Sequence, residues 1–146
     1  MIFLDANYLV SYYIDSEYHH KRALEIYGKI KDKEQIISKS VIAETINILH
    51  NKIKANFHDI EIIYNELNNK YPVIEDQYFY DKAVLRVLHD KKRLPFFDNL
   101  YITLMEELKI KKIVTFDKHF NNINGIKPIN WKKITIKQTF AVVKIF

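Results

Sequence analysis

Apolar residues open the chain as a short run, Ile2-Phe3-Leu4, that stops at Asp5. From Asn7 the spacing changes, and Leu9, Val10, Tyr13 and Ile14 recur at helical intervals, so the start reads as a strand followed by a helix. His19 to Lys31 repeats that spacing with Ala23, Leu24, Tyr27 and Ile30. Beyond the charged turn Lys31-Asp32-Lys33-Glu34, Ile36-Ile37 predicts a second short buried strand. A third helix is predicted from Ser40 to about Lys52, with Ser38 or Ser40 as its cap. Phe57 to Asn69 and Gln77 to Leu88 are two further helical segments, separated by Lys70-Tyr71-Pro72. Pro95 suits the opening of another helix, through about Leu108. Lys111-Lys112 then lead into an apolar strand, Ile113-Val114-Thr115, closed by Asp117, and a last short strand is expected near Ile126 to Ile129.

Strands that alternate with helices imply parallel pairing through right-handed crossovers, with helices on both faces of the sheet. The expected fold class is α/β, a three-layer α/β/α sandwich with a short central parallel sheet, occupying residues 1–130. Residues 131–146 are read as a C-terminal extension. In it Ile134 and Ile136 alternate with polar residues and Phe140 to Phe146 is nearly all apolar, as an added edge or a cover for a partner surface would be.

Composition narrows the chemistry. The chain of 146 residues is 48% hydrophobic and 28% charged, the balance of one globular domain, and is long enough to bury a core without disulfides or structural metal. It has no cysteine, which excludes thiol catalysis and thiolate zinc sites and makes a reducing cytoplasm the expected compartment. Two glycines and three prolines leave no glycine-rich phosphate loop and disfavour a turn-rich barrel. Apolar runs fall far short of the roughly 20 residues that span a bilayer, and the start lacks a signal-peptide layout, so no membrane association is expected. A net charge of +5 favours polyanionic partners without choosing between nucleic acid and acidic lipid.

Four acids stand out. Asp5 and Asp117 each fall at the carboxyl end of a predicted parallel strand, the rim where open α/β sheets place ligands, although either alone equally suits a turn or helix cap. Asp98 begins a helical stripe with Tyr101, Ile102, Met105 and Leu108 that should face the core, and a place in the first turn, where the helix dipole favours negative charge, is the plainer explanation for it. Glu44 interrupts an apolar row between Val41 and Ile48 on a helix whose other stripe, Ile42, Ile46, Leu49 and Ile53, is apolar too. A buried carboxylate there needs a cation or a donor, and a lysine reaching in from elsewhere would serve. Clustered, the four would repel one another unless a divalent ion joined them, and oxygen ligands suit magnesium or manganese. His19, His20, His50, His58, His89 and His119 show no metal-ligand spacing and are read as surface residues.

The succession Ile-Phe-Leu-Asp5-Ala-Asn7, then Glu44, then Asp98, then Val114-Thr115-Phe116-Asp117-Lys-His-Phe120 resembles the PIN domain ribonucleases, especially the VapC-type toxins, over residues 1 to about 130. The resemblance implies a PIN-like nuclease domain in which Asp5, Glu44, Asp98 and Asp117 form the quartet that binds Mg2+ or Mn2+, with Asn7 and Thr115 as polar supports. It implies a metal-dependent endoribonuclease that cleaves RNA phosphodiesters, the toxin of a type II toxin-antitoxin pair, with a cognate VapB-like antitoxin that inserts into the active site and a homodimeric state. Asp5 and Asp98 are expected as direct ligands, and Glu44 and Asp117 as ligands through water or positioners of the attacking water. Lys91, Lys92 and Arg93 upstream of Asp98, and Lys118 after Asp117, are candidate RNA contacts or a solvated basic loop. Two other roles fit the same motifs: an RNA-processing or decay nuclease, and a non-catalytic scaffold that binds RNA or protein. The chain departs from the family in two places. Bulky Asn99, Leu100, Tyr101 and Ile102 follow Asp98 where small residues are usual, which predicts a narrower site or a differently packed helix, and the segment after Asn130 has no family counterpart.

Overall fold

Ile2, Phe3 and Leu4 are buried on both faces, as a central strand of a parallel sheet requires. In the computed structural model, which describes residues 1–130, this strand, β1 (Ile2–Leu4), lies at the middle of the sheet. The extension 131–146 read from the sequence lies outside the described residues. On one side of β1 stand β2 (Gln35–Ser38) and then β3 (Val73–Ile74), and on the other β4 (Lys112–Val114) and then β5 (Lys127–Ile129). All pairings are parallel. Phe3 is level with Ile36 and with Ile113, and Leu4 with Val114, so the apolar centres of three strands form one layer.

The intervening segments form helices α1 (Ala6–Tyr13), α2 (His20–Ile30), α3 (Lys39–Asn47), α4 (Phe57–Lys70), α5 (Tyr80–Leu88) and α6 (Phe96–Glu107). They cover the sheet as the expected α/β/α sandwich, with α1 against α2 and α3, and α5 against α6. Of the two serines offered as cap for the third helix, Ser38 takes the position: the Val41 N–H donates to its hydroxyl at 3.3 Å, while the Ser40 N–H donates to Asp76. That helix does not run on unbroken to Lys52. From Ile48 to Ile53 it widens into a π-helical turn, and Lys54 ends it in the left-handed region with φ 59°. Similarly, the segment expected from Gln77 starts as a 3₁₀ turn, Asp76–Phe79, before α5. Strand β3 has no counterpart in the residue pattern. Two residues after Pro72 are too few for a period-2 signal, and the pairing depends on Ile37, whose N–H donates to the Pro72 carbonyl at 3.1 Å.

Helix α6 is buried at every position from Asp98 to Met105. The one-sided stripe expected of it is therefore a stretch enclosed on all sides from Asp98 to Met105, and Leu108, the stripe's last member, lies beyond the helix end and is 44% exposed. No helix among the described residues is long and apolar enough to cross a membrane.

Phe3 is fully buried on the central strand and packs on Tyr101 of α6, with ring centroids 5.3 Å apart. Phe3→Ala should destabilise the chain by about 3–5 kcal/mol, because both transfer energy and a cavity are lost where three strands and a helix meet. Urea unfolding measures it, and a loss below about 1 kcal/mol would mean that this layer is not the core.

Candidate active site

The strand order 3-2-1-4-5 reverses direction at β1, and in such sheets a crevice opens beyond the carboxyl ends where the connections part. Asp5 follows β1 there, and Thr115 follows β4. Asp5 does the ordinary work of a helix cap with one oxygen: Oδ1 accepts from the Ala6 N–H at 2.8 Å at the start of α1. Its other oxygen is aimed at the neighbouring strand. Oδ2 accepts from the Thr115 hydroxyl at 2.8 Å and from the Asn7 side-chain amide at 3.3 Å. Asn7 also ties down the segment after β4, because its Oδ1 accepts from the Phe116 N–H at 3.0 Å. The Thr115 hydroxyl in turn accepts from the Asp117 N–H at 3.0 Å. Asn7 and Thr115 thus lock two strand ends, and the acids that follow them, into one arrangement.

Asp117 divides its oxygens in the same way. Oδ1 accepts from the His119 N–H at 2.9 Å, capping the 3₁₀ turn Lys118–Phe120, while Oδ2 lies 3.1 Å from His119 Nδ1. The same ring nitrogen is 2.5 Å from Oδ2 of Asp98, which sits in the first turn of α6. Asp98, Asp117 and His119 place one ligand atom each within 4.8 Å of one another, a group able to hold a metal ion. Glu44 comes in from α3, and its carboxylate accepts a hydrogen bond from the Tyr101 hydroxyl of α6. The donor that its half-buried position demanded is a tyrosine rather than the lysine considered from the sequence.

Electrostatics tie the four acids together. Burial, reinforced by the charges of Glu44 and Asp117 and only partly offset by the Thr115 and Ala6 hydrogen bonds, pushes the Asp5 carboxyl up to about 7. Burial likewise raises Asp98 to about 6; Asp117 and Asp5 add to the rise, and His119 opposes it. Glu44 is raised by burial and by Asp98 and Asp117, against the Tyr101 hydrogen bond. Burial disfavours the His119 cation, but the Asp98 hydrogen bond and the charges of Asp117, Asp98 and Asp5 outweigh it and hold that pKa above the ordinary histidine value. A site so short of positive charge is chemically suited to a divalent cation.

Two participants escaped sequence reasoning. His119 lies on the surface, as read, yet it bridges Asp98 and Asp117; the clue was its place two residues after Asp117, the reach of a 3₁₀ turn. Tyr101 stood out only as an unusually large residue. Its bulk is accommodated because α6 is enclosed, and its hydroxyl orients Glu44.

Of the basic candidates, Lys91 and Lys92 sit elsewhere. They line a groove of about 850 Å³ on the flank of α6 that carries Asn99 and Thr103, and none of the four acids lines it. Asp90 fixes this loop by accepting from the N–H groups of Lys92 and Leu94 and from the Asn99 amide, and Arg93 adopts φ 57° within it. Asp90 is held below the usual carboxylate range, chiefly by Asn99. Lys118 is exposed directly beside Asp117.

Comparisons with known proteins agree with this architecture. The sequence model of the PIN domain family matches residues 2–126. VapC20 of Mycobacterium tuberculosis, described as a toxin that cleaves the sarcin-ricin loop, superposes with a TM-score of 0.72 at 16% identity, over 82% of this chain and 92% of that one. PAE2754 of Pyrobaculum aerophilum superposes with a TM-score of 0.60 at 18% identity, over 97% of this chain and 95% of that one. At these identities the two structures share the fold. No curated protein sequence matches the chain.

The raised acids set the sign of a pH effect. Asp5 titrates near 3.8 when unfolded and at about 7 when folded, so between those values the folded chain binds more protons than the unfolded one, and stability falls as pH rises. Asp98 acts in the same direction up to about 6. In chelator the melting temperature should therefore rise as pH is lowered from about 7.5 to about 5. Asp5→Asn should flatten that rise, and a parental melting temperature constant or falling over this range would refute the buried-acid electrostatics.

Proposed function

This chain belongs to the PIN domain family, and from that premise we propose that it is a metal-dependent endoribonuclease that hydrolyses RNA phosphodiesters. One observation carries the reading: Asp5, Glu44, Asp98 and Asp117, far apart in sequence, are electrostatically coupled at the carboxyl ends of β1 and β4, the first two strands of the sheet's reversal. The carboxylates of the donor set fit magnesium or manganese. Asp98 and Asp117, with His119, would hold the ion, and Asp5 would complete the set from the β1 side. A divalent ion bound there would polarise the phosphate and offset the negative charge that an in-line displacement develops.

The chain's own residues do the rest. The Ala6 N–H, Thr115 and Asn7 fix Asp5, so the carboxylate is oriented before substrate arrives. Glu44, steadied by Tyr101 and raised in pKa, is suited to accept a proton from the attacking water. Lys118 beside Asp117, and the Lys91-Lys92-Arg93 loop farther along, supply positive charge for the RNA backbone.

The fold shared with a toxin ribonuclease supports a finer assignment: the toxin of a type II toxin-antitoxin pair, acting in the cytoplasm as a homodimer and restrained by a VapB-like antitoxin that enters this site. The test is the gene beside this one: a small antitoxin whose product blocks cleavage would match this assignment, and its absence would favour an RNA-processing role.

Asp98→Asn and Asp5→Asn should each lower manganese-dependent RNA cleavage on the order of a hundredfold or more while circular dichroism shows the fold retained. Parental cleavage by either variant would remove that residue from the site. Converting Lys91, Lys92 and Arg93 together to Gln should weaken RNA binding and lower the steepness of its salt dependence by about one for each phosphate no longer neutralised. An unchanged slope would confine the loop to a structural role.

A further inference from the structure

Phe116, the residue between Thr115 and Asp117, begins an aromatic stack at the rim of the acidic site. His19, in the loop between α1 and α2, lies on it with ring centroids 4.4 Å apart and planes at 22°. Tyr18 meets His19 edge-on at 4.8 Å, and Tyr18 is 84% exposed. The Arg22 guanidinium stands 5.9 Å from the centre of the Phe116 ring and 3.2 Å from His19 Nδ1, so it is held over the stack. Buried Tyr8 backs Phe116 at 6.4 Å. The stack is registered to the acids, since the Phe116 N–H donates to the same Asn7 that donates to Asp5.

Core packing explains buried Tyr8 and partly buried Phe116 but not Tyr18, a large ring projecting into solvent and joined through His19 to Phe116, the residue between Thr115 and Asp117. Its exposed face suits one chemistry well. Unpaired bases stack on aromatic rings whatever their identity, and a guanidinium fixed beside the ring binds phosphate. A duplex keeps its bases inside and offers such a ring nothing.

We propose that Tyr18, His19, Phe116 and Arg22 form a nucleotide subsite next to the scissile phosphate, which stacks one unpaired base against Tyr18, takes a phosphate at Arg22, and so selects single-stranded RNA. The subsite rests on the ribonuclease reading for its substrate, and it is a binding element rather than a catalytic one. The loop before α2 thereby contributes to substrate choice, and α1 and α2 flank the site as well as covering the sheet.

The test uses the full chain carrying Asp98→Asn, so that RNA is not consumed, and a short fluorescein-labelled oligoadenylate with one 2-aminopurine as probe. Added Tyr18→Ala should weaken binding of the single strand roughly tenfold and abolish the 2-aminopurine quenching that reports stacking. Tyr18→Phe should restore both, and the same RNA as a duplex should bind all of these proteins alike. The melting temperature should not move, because Tyr18 is exposed. Arg22→Gln should weaken the single strand and make its binding less salt-dependent while leaving quenching in place. Single-strand affinity and quenching unchanged in Tyr18→Ala, or single strand and duplex weakened equally, would overturn the subsite. The two readings fail separately: cleavage that depends on Asp98 with no effect of Tyr18 sinks the subsite alone, whereas Tyr18-dependent stacking in a chain that never cleaves RNA sinks the nuclease alone.

Discussion

Carboxylates that lose water and also face one another repel, and the carboxyl edge of this sheet is built around offsetting that repulsion. Asp5 and Asp98 are buried, at 6% and 8% exposure; Glu44 and Asp117 raise the Asp5 pKa further, and Asp117 and Asp5 raise that of Asp98. Against this the protein sets directed donors: the Ala6 N–H, the Thr115 hydroxyl and the Asn7 amide on Asp5, the Tyr101 hydroxyl on Glu44, and the His119 ring between Asp98 and Asp117. These donors lower the energy of the charged forms without cancelling the repulsion, since Asp5 and Asp98 stay raised. Residual strain of this kind is what makes a site avid for a small, strongly charged cation.

Parallel topology concentrates the acids without a dedicated loop. Each strand runs in the same direction, so the residue after each strand arrives at the same edge, and β1 and β4 lie side by side at the reversal of strand order. The helix that follows a strand also needs a cap. Asp5 and Asp117 meet that local need with one oxygen and leave the other for the site. Capping therefore fixes the orientation of these carboxylates, so the plainer reading of each acid holds while its second oxygen is still directed at the cluster.

Much of this was legible in the residue pattern. The six helices, four of the five strands, and the placing of Asp5 and Asp117 at strand ends follow from spacing alone, because burial against a sheet leaves a periodic record. Glu44 and Asp98 were visible as charges breaking apolar rows. What escaped was either too short or too dependent on partners: β3, which exists because Ile37 pairs with the segment after Pro72; the π-helical turn that ends the α3 segment; and the enclosure of α6 from Asp98 to Met105, which a one-sided stripe understates.

Side-chain identity along the chain determined which chemistry was available, an oxygen-rich, thiol-free set with two strand-end acids. Tertiary structure alone decided which groups meet. His119 counts as a surface histidine until the turn after Asp117 brings its ring to Asp98, twenty-one residues away, and Tyr101 is only a bulky residue until α6 crosses Glu44 on α3. Lys91 and Lys92, near Asp98 in sequence, line a groove that the acids do not share, because one flank of α6 carries Asn99 and another carries Asp98. Periodicity reports whether a side chain is buried, but the partner it finds there is set by long-range packing that leaves no local trace.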